Sequence, residues 1–341
     1  MGNSDEQENI DCSNKGLTSL FGCPEKVVDF NCSGNLLTSL EGAPKKVKGD
    51  FNCSGNQLIS LEGAPQEVHG NFDCANNQLT SLVGCPIFIM GDFTCAGNQL
   101  TSLEGNDHDS SVELILSGCP EVVEGDFNCS RNRLTSLEGA PHIVGADFDC
   151  SYNQLVTLKG APKKIQGDFD CSNNQLTSLA GSPDCIAGDF SCNGNQLTAL
   201  KGGAKEVSGN FDCSANQLTS LKGAQKKVNG IFNCSFNQLT SLKGAPEEAG
   251  GFFCYSNQLT SLKWAPEKVR GNFDCSENQL LSLDGAPKKV KGNFNCSGNR
   301  LSELDGSLKK VSGDFICAKN LSLFDDKQVR AVINVKGNCI S

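Results

Sequence analysis

The chain has little of what most catalytic and metal sites are made from. In 341 residues it carries three histidines (His69, His108 and His142), one tryptophan, two tyrosines and two methionines. No C-x-x-C pair occurs, so the ligand spacing of a structural zinc site is missing. No apolar run reaches the roughly 20 residues needed to cross a bilayer. The opening Met1-Gly2-Asn3-Ser4-Asp5-Glu6 lacks the apolar core of a secretory leader. It begins like an acylation signal, but Glu6 stands where Ser or Thr is wanted. The net charge is −10 with no basic stripe, which argues against a nucleic-acid partner. No Ser-His-Asp order, phosphate loop or isolated carboxylate pair stands out. The expectation is a non-enzymatic protein without metal or cofactor.

What the chain does have is 20 cysteines, 37 glycines and 19 phenylalanines. Fifteen of the cysteines mark a period: Cys12, Cys32, Cys53, Cys74, Cys95, Cys129, Cys150, Cys171, Cys192, Cys213, Cys234, Cys254, Cys275, Cys296 and Cys317. The step is 21 residues, with 20 at two places and one jump of 34. A fixed period of this length signals a solenoid in which each repeat is one coil.

A representative unit runs from Val47 through Phe51, Cys53, Asn56, Leu58 and Leu61 to Pro65. Phe51 and Cys53 are two apart, so on an extended strand they face the same side. Leu58 and Leu61 follow, and the inward set is Val, Phe, Cys, Leu, Leu once per coil. The pattern F-x-C-x-x-N-x-L matches L-x-L-x-x-N-x-L, and over residues 10–324 the chain resembles the leucine-rich repeat proteins. Its short repeats are similar to those of bacterial effectors delivered into host cells and to leucine-rich tracts of large viruses and phages. That resemblance implies binding through the concave face of the strands.

Most repeats place Val four residues before Phe. In the two 20-residue repeats the spacing falls to three, Val27 to Phe30 and Ala249 to Phe252. The extra residue of the longer repeats, often Gly, reads as a bulge entering the strand. The Asn column (Asn35, Asn56, Asn77 and counterparts to Asn320) reads as a ladder that satisfies backbone groups where the coil turns; the first repeat has Lys15 there. Thr-Ser pairs such as Thr38-Ser39 read as solvated turn groups. In-register rungs about 4.8 Å apart are too far for the disulfide spacing of about 3.8 Å between Cβ atoms. The Cys column is therefore expected to be free thiols packing as small apolar groups, which fits an intracellular reducing compartment: cytoplasm, host cytoplasm or virion.

Functional candidates lie where the repeat is broken. Asp and Asn flank each Phe on the outward face, and Asp147, Asp149, Asp168 and Asp170 put four carboxylates on adjacent rungs. These read as solubilising groups, or as a surface for a basic partner or a cation. Ile231 and Phe253 put apolar groups in those polar columns, with Phe236, Tyr255 and Trp264 in nearby turns. They read either as a binding hot spot or as filling for a gap left by the shortened repeat. The insertion Asn106–Gly118 reads as a loop with a short added strand; its Asp107-His108-Asp109 reads as solvated. Lys pairs after the Pro, such as Lys288-Lys289 and Lys309-Lys310, make the turn side basic; they read first as solvated charge, and otherwise as a route to side-to-face contact between copies. Asp325 to Gly337 reads as a capped amphipathic helix closing the last coil.

The expected architecture is a β-solenoid-like leucine-rich repeat, one curved rod of about 15 coils with a parallel sheet on its concave face and little helix except the C-terminal cap. Residues 1–9 form a polar tail, 10–324 the solenoid and 325–341 the cap. The expected role is a scaffold whose concave face takes a protein partner, basic toward the acidic rungs and anchored on the aromatic group. The alternative is a component of a larger assembly, such as a virus particle, in which copies pack through sides or ends.

Overall fold

The structure, a computed structural model, describes residues 8–104 and 118–341. The acylation-like start and the Asp107-His108-Asp109 stretch lie outside the described residues. The chain groups into two units, Met1–Gln175 with Gly181–Pro183, and Leu176–Ala180 with Asp184–Ser341.

Each coil contributes two short strands, one ending on its Val and one beginning on its Phe. In the first unit the Phe strands run from Ile10–Asp11 to Phe169–Asp170. They pair in parallel and in register, so Phe30 lies opposite Phe51 and Phe51 opposite Phe72. The Val strands, Lys26–Val27 to Lys164–Ile165, build a second parallel ladder. The second unit repeats this plan from Phe190–Ser191 onward. There, two strands run through both positions without a break, Lys227–Asn233 and Glu248–Phe253.

Stacking in register puts like on like, and this makes the core. Phe51, Cys53, Leu58 and Leu61 are all fully buried, as are their counterparts in most coils. Phe rings of successive coils stand 5.0–5.8 Å apart. All 20 cysteines are unbridged. The column thiols also act as weak donors: Cys213 Sγ donates to the Asn233 carbonyl at 3.2 Å.

The Asn ladder does what its position predicts, in four bonds. Asn216 Nδ2 donates to the carbonyls of Cys192, Cys213 and Ser214 at 3.0–3.2 Å, and its Oδ1 accepts the Leu197 N–H at 3.0 Å. It thus stitches one coil to the previous one where the backbone leaves the ladder. In the first coil the backbone N–H of Lys15 donates to Asn35 Oδ1. Thr-Ser turns are capped locally, as where Ser39 Oγ accepts the Glu41 N–H.

The extra residue of the longer repeats has a definite job. Asp29 Oδ1 accepts the Asp50 N–H, Asp50 Oδ1 the Asn71 N–H, and Asn71 Oδ1 the Asp92 N–H, at 2.8–2.9 Å. Each Asx side chain therefore reaches forward one coil. The space it enters is where a Cβ would stand on Gly49, Gly70 or Gly91. A Cβ at these glycines would press on a neighbour's side chain, although Ala146 takes the same column while the Asp147 N–H still donates to Asp126 Oδ1. A register shift falls between Val228 and Ile231, where a 21-residue coil pairs with a 20-residue one; this is the expected bulge.

The C-terminal helix spans Asp326–Val332, shorter than the stretch the sequence pattern suggested. Asp325 and Gln328 form a reciprocal capping box. The chain then returns to the ladders: Asn334–Val335 joins the Val strands and Cys339–Ile340 the Phe strands. Arg330 fixes this return, donating to the carbonyls of Val335 at 2.6 Å and Gly337 at 2.9 Å.

Candidate interaction site

The outward Asp columns are mostly engaged in holding the coils. Asp147 Oδ1 accepts the Asp168 N–H at 2.7 Å. Asp149 Oδ1 accepts the Ser151 N–H at 2.9 Å, and Asp170 Oδ1 the Ser172 N–H at 2.8 Å. The four residues do lie on adjacent rungs, with Asp149 opposite Asp170. The N–H dipoles offset the repulsion between like charges at rung spacing. Asn serves equally in these columns, as Asn210 and Asn272 show, so the fold requires an acceptor there and not a charge.

At Ile231 the acceptor is missing. Its N–H still donates to Asn210 Oδ1 at 2.7 Å, but its own side chain cannot accept the next coil. The following coil is one residue shorter and carries Gly250 and Gly251, with Gly251 opposite Ile231. Backbone pairing replaces the side-chain bond, and the two strands run on without a break across the register shift. The result is a hollow of about 250 Å³, floored by Gly230, Gly250, Gly251 and Gly271 and walled by Asn210, Ile231, Phe253 and Asn272.

The five apolar candidates thus fall into three places. Ile231 and Phe253 share the hollow. Phe236 and Tyr255 meet edge to face in successive turns, ring centres 5.1 Å apart, with Phe236 55% exposed. Trp264 stands in a different turn, 56% exposed, with Lys263 Nζ 5.3 Å from its ring centre. The core of the shortened coil is closed, with Phe252, Cys254, Leu259 and Leu262 fully buried.

Trp264 also occupies an awkward backbone position. It replaces the Gly of the Leu-x-Gly turn, at φ +75, where Gly244 and Gly285 adopt +94 and +83. Only glycine takes this region without steric cost. A bulky residue kept there is strained and exposed, a combination concentrated at functional sites.

One break escaped the sequence reading. The residue before the Val is usually Lys or Glu, but Phe88, Val122 and Ile143 occupy that column in three successive coils. Ile87, Phe88, Met90 and Ile143 are exposed. The signal was Pro86-Ile87-Phe88-Ile89-Met90 where other repeats read Pro-Lys-Lys-Val-Lys; beside the core Val column such residues pass for strand interior.

The column thiols are poor nucleophiles. Burial pushes their ionisation upward, Cys317 to about 11 and Cys53, Cys129 and Cys213 well above the usual thiol range. Among the described residues no three or more His, Cys, Asp or Glu side chains group so as to hold a metal ion, and no helix is long and apolar enough to cross a membrane.

No protein-family model matches the chain, and no curated protein matches it in sequence. Solved structures do. YopM from Yersinia enterocolitica WA-314 superposes with a TM-score of 0.69 at 22% identity, covering 92% of this chain and 69% of that one. A YopM described as a leucine-rich effector protein from Yersinia pestis gives 0.51 at 18% identity, covering 85% and 89%. A leucine-rich repeat protein of Leptospira interrogans gives 0.53 at 16%, covering 96% and 93%. These likenesses show the fold: the chain is a leucine-rich repeat solenoid of parallel-strand turns, about 15 in all.

Proposed function

We propose that the protein is a non-enzymatic scaffold that takes a protein partner on the face of its Phe strands, the face expected to be concave. The observation that carries this is the exchange at Ile231 and Phe253. Apolar groups stand in two columns that are polar in most coils, and glycines clear a hollow between them. An apolar hollow in a polar surface suits a side-chain anchor from a partner, and the Phe236–Tyr255 pair adds aromatic area near by in sequence. The strain at Trp264 supports a role for that ring as a further contact. The acidic rungs Asp147, Asp149, Asp168 and Asp170 take the subsidiary part of orienting a basic segment, because their first duty is to the backbone. Exposed charges of this kind contribute more to association rate and register than to affinity.

The test is affinity capture from the native source with wild type, Phe253→Asp/Tyr255→Ala, and Asp149→Asn/Asp170→Asn, each checked for unchanged melting. The aromatic double variant is expected to lose the partner while the amide variant retains most of it. An unchanged set of captured proteins with the first variant would remove the aromatic site from consideration.

A further inference from the structure

The outer side of the Val strands in the second unit carries positive charge, as its Lys pairs suggest, although the net charge of the chain is −10. The strands Lys268–Val269, Lys289–Val290 and Lys310–Val311 pair in register, Val269 opposite Val290 and Lys289 opposite Lys310. Their valines are buried. Arg270 and Lys291 follow the valines, and with Lys288 they line a groove of about 740 Å³. Glu248 pairs with Lys268 and Arg270. Lys288, Lys289, Lys291 and Lys310 form no ion pair among the described residues. Like charges on rungs about 4.8 Å apart repel one another, so this ladder gains from counter-charge set at the same interval.

The first unit offers that counter-charge. Asp29, Asp50, Asp73 and Asp92 line a hollow of about 390 Å³ on its Phe-strand face. One oxygen of Asp29 and of Asp50 is held by a backbone N–H of the next coil, leaving the second oxygen for another donor. Both ladders are made by the same coil, so they repeat at the same rung spacing. A DNA strand, by contrast, advances about 3.4 Å per phosphate along its axis and drifts out of step.

We propose that the lysine ladder of one copy docks into the aspartate hollow of a second copy, in a head-to-tail contact. Such a contact is heterologous and propagates to further copies. Exposed ion pairs contribute about 0–1 kcal/mol each, and copies of like net charge repel. The association is therefore weak and confined to low ionic strength, where screening is longer than about 10 Å. It is independent of the Ile231–Phe253 hollow.

Sedimentation velocity over a range of protein concentrations, at low and high ionic strength, reads this directly. Wild type and Phe253→Asp are expected to associate alike at low salt and to be monomeric at high salt. Lys289→Glu/Lys310→Glu is expected to associate roughly tenfold more weakly. Carbodiimide cross-linking of the wild type is expected to join Lys289 or Lys310 to Asp29, Asp50, Asp73 or Asp92 of another copy. A wild type monomeric under all conditions, association unchanged by the lysine double variant, or cross-links mapping to other carboxylates would each overturn the proposal. Binding of polyglutamate or a short single-stranded DNA to the groove of a chain that stays monomeric would also overturn it.

Discussion

A single Asp in this chain is first an acceptor and only then a charge. Asp50 is the plain case, since its Oδ1 holds the Asn71 N–H and Asn71 does the same for Asp92. Asp50→Asn should leave the melting temperature within error of wild type. Asp50→Ala should cost about 1 kcal/mol, the worth of one hydrogen bond. Trp264 runs the other way. Trp264→Gly restores the residue that its backbone favours, so thermal unfolding should show a gain of about 1 kcal/mol. If Trp264 contacts the partner, the same change weakens capture, and stability and binding move in opposite directions.

The thiols make a residue-scale prediction for pH. In the unfolded chain a cysteine ionises near 9, whereas Cys53, Cys129, Cys213 and Cys275 are held well above that by burial. A folded value raised above the unfolded one stabilises fully below pH 9, and that contribution is lost as pH climbs toward the folded value. Each such thiol removes about 1.4 kcal/mol per pH unit in that window. Many act together, so a steep base-induced unfolding should begin near pH 9. Thiolate absorbance should rise with the loss of β-sheet dichroism. Thiolate appearing while the dichroism stays constant would contradict this.

At the scale of the coil, bonds between neighbours dominate. Asn216→Ala leaves the carbonyls of Cys192, Cys213 and Ser214 and the Leu197 N–H without their partner, all in buried surroundings. A loss of about 3 kcal/mol or more in chemical denaturation is expected. Gly70→Ala drives a methyl group into Asp50 Oδ1 and the Gly49 backbone and should cost about 1–3 kcal/mol. The double variant Gly70→Ala/Asp50→Ala should recover part of that loss if the side-chain clash is its source.

The coil was legible in the sequence because Val, Phe, Cys, Leu and Leu recur at fixed intervals and each interval has one geometric meaning. The Asn ladder was legible for the same reason. The Gly–Asx partnership was not, because it joins Gly70 to Asp50 in the preceding coil, and one repeat read alone shows only a loose glycine. The same holds for the candidate site. Ile231 and Phe253 could be picked out as apolar residues in polar columns. That they share one hollow while Trp264 stands in another turn depends on register, which composition does not carry. Phe88, Val122 and Ile143 were hidden because a residue beside a core column looks like core.

Within each unit the same economy holds: polar side chains close the turns, phenyl rings stack in a file, and sulfur fills the file beside them. Charge is the exception. Acidic groups flank the Phe strands, whereas the residue before the Val is Lys in some coils and Glu or apolar in others; the run Lys268, Lys289 and Lys310 gives the second unit its lysine groove. The claim on which the rest stands is that the sulfur file is reduced and sealed. Fifteen cysteines are buried and five, Cys12, Cys23, Cys119, Cys185 and Cys339, are partly exposed, none of them bridged. The direct measurement is thiol labelling without reductant, first native and then in denaturant, with the labelled positions mapped by mass spectrometry. Prompt native labelling confined to Cys12, Cys23, Cys185 and Cys339, followed by all 20 in denaturant, is the predicted result, because burial holds the Cys119 thiol well above the usual range. A denatured count short of 20, or prompt native labelling at Cys53, Cys129 or Cys213, would contradict it.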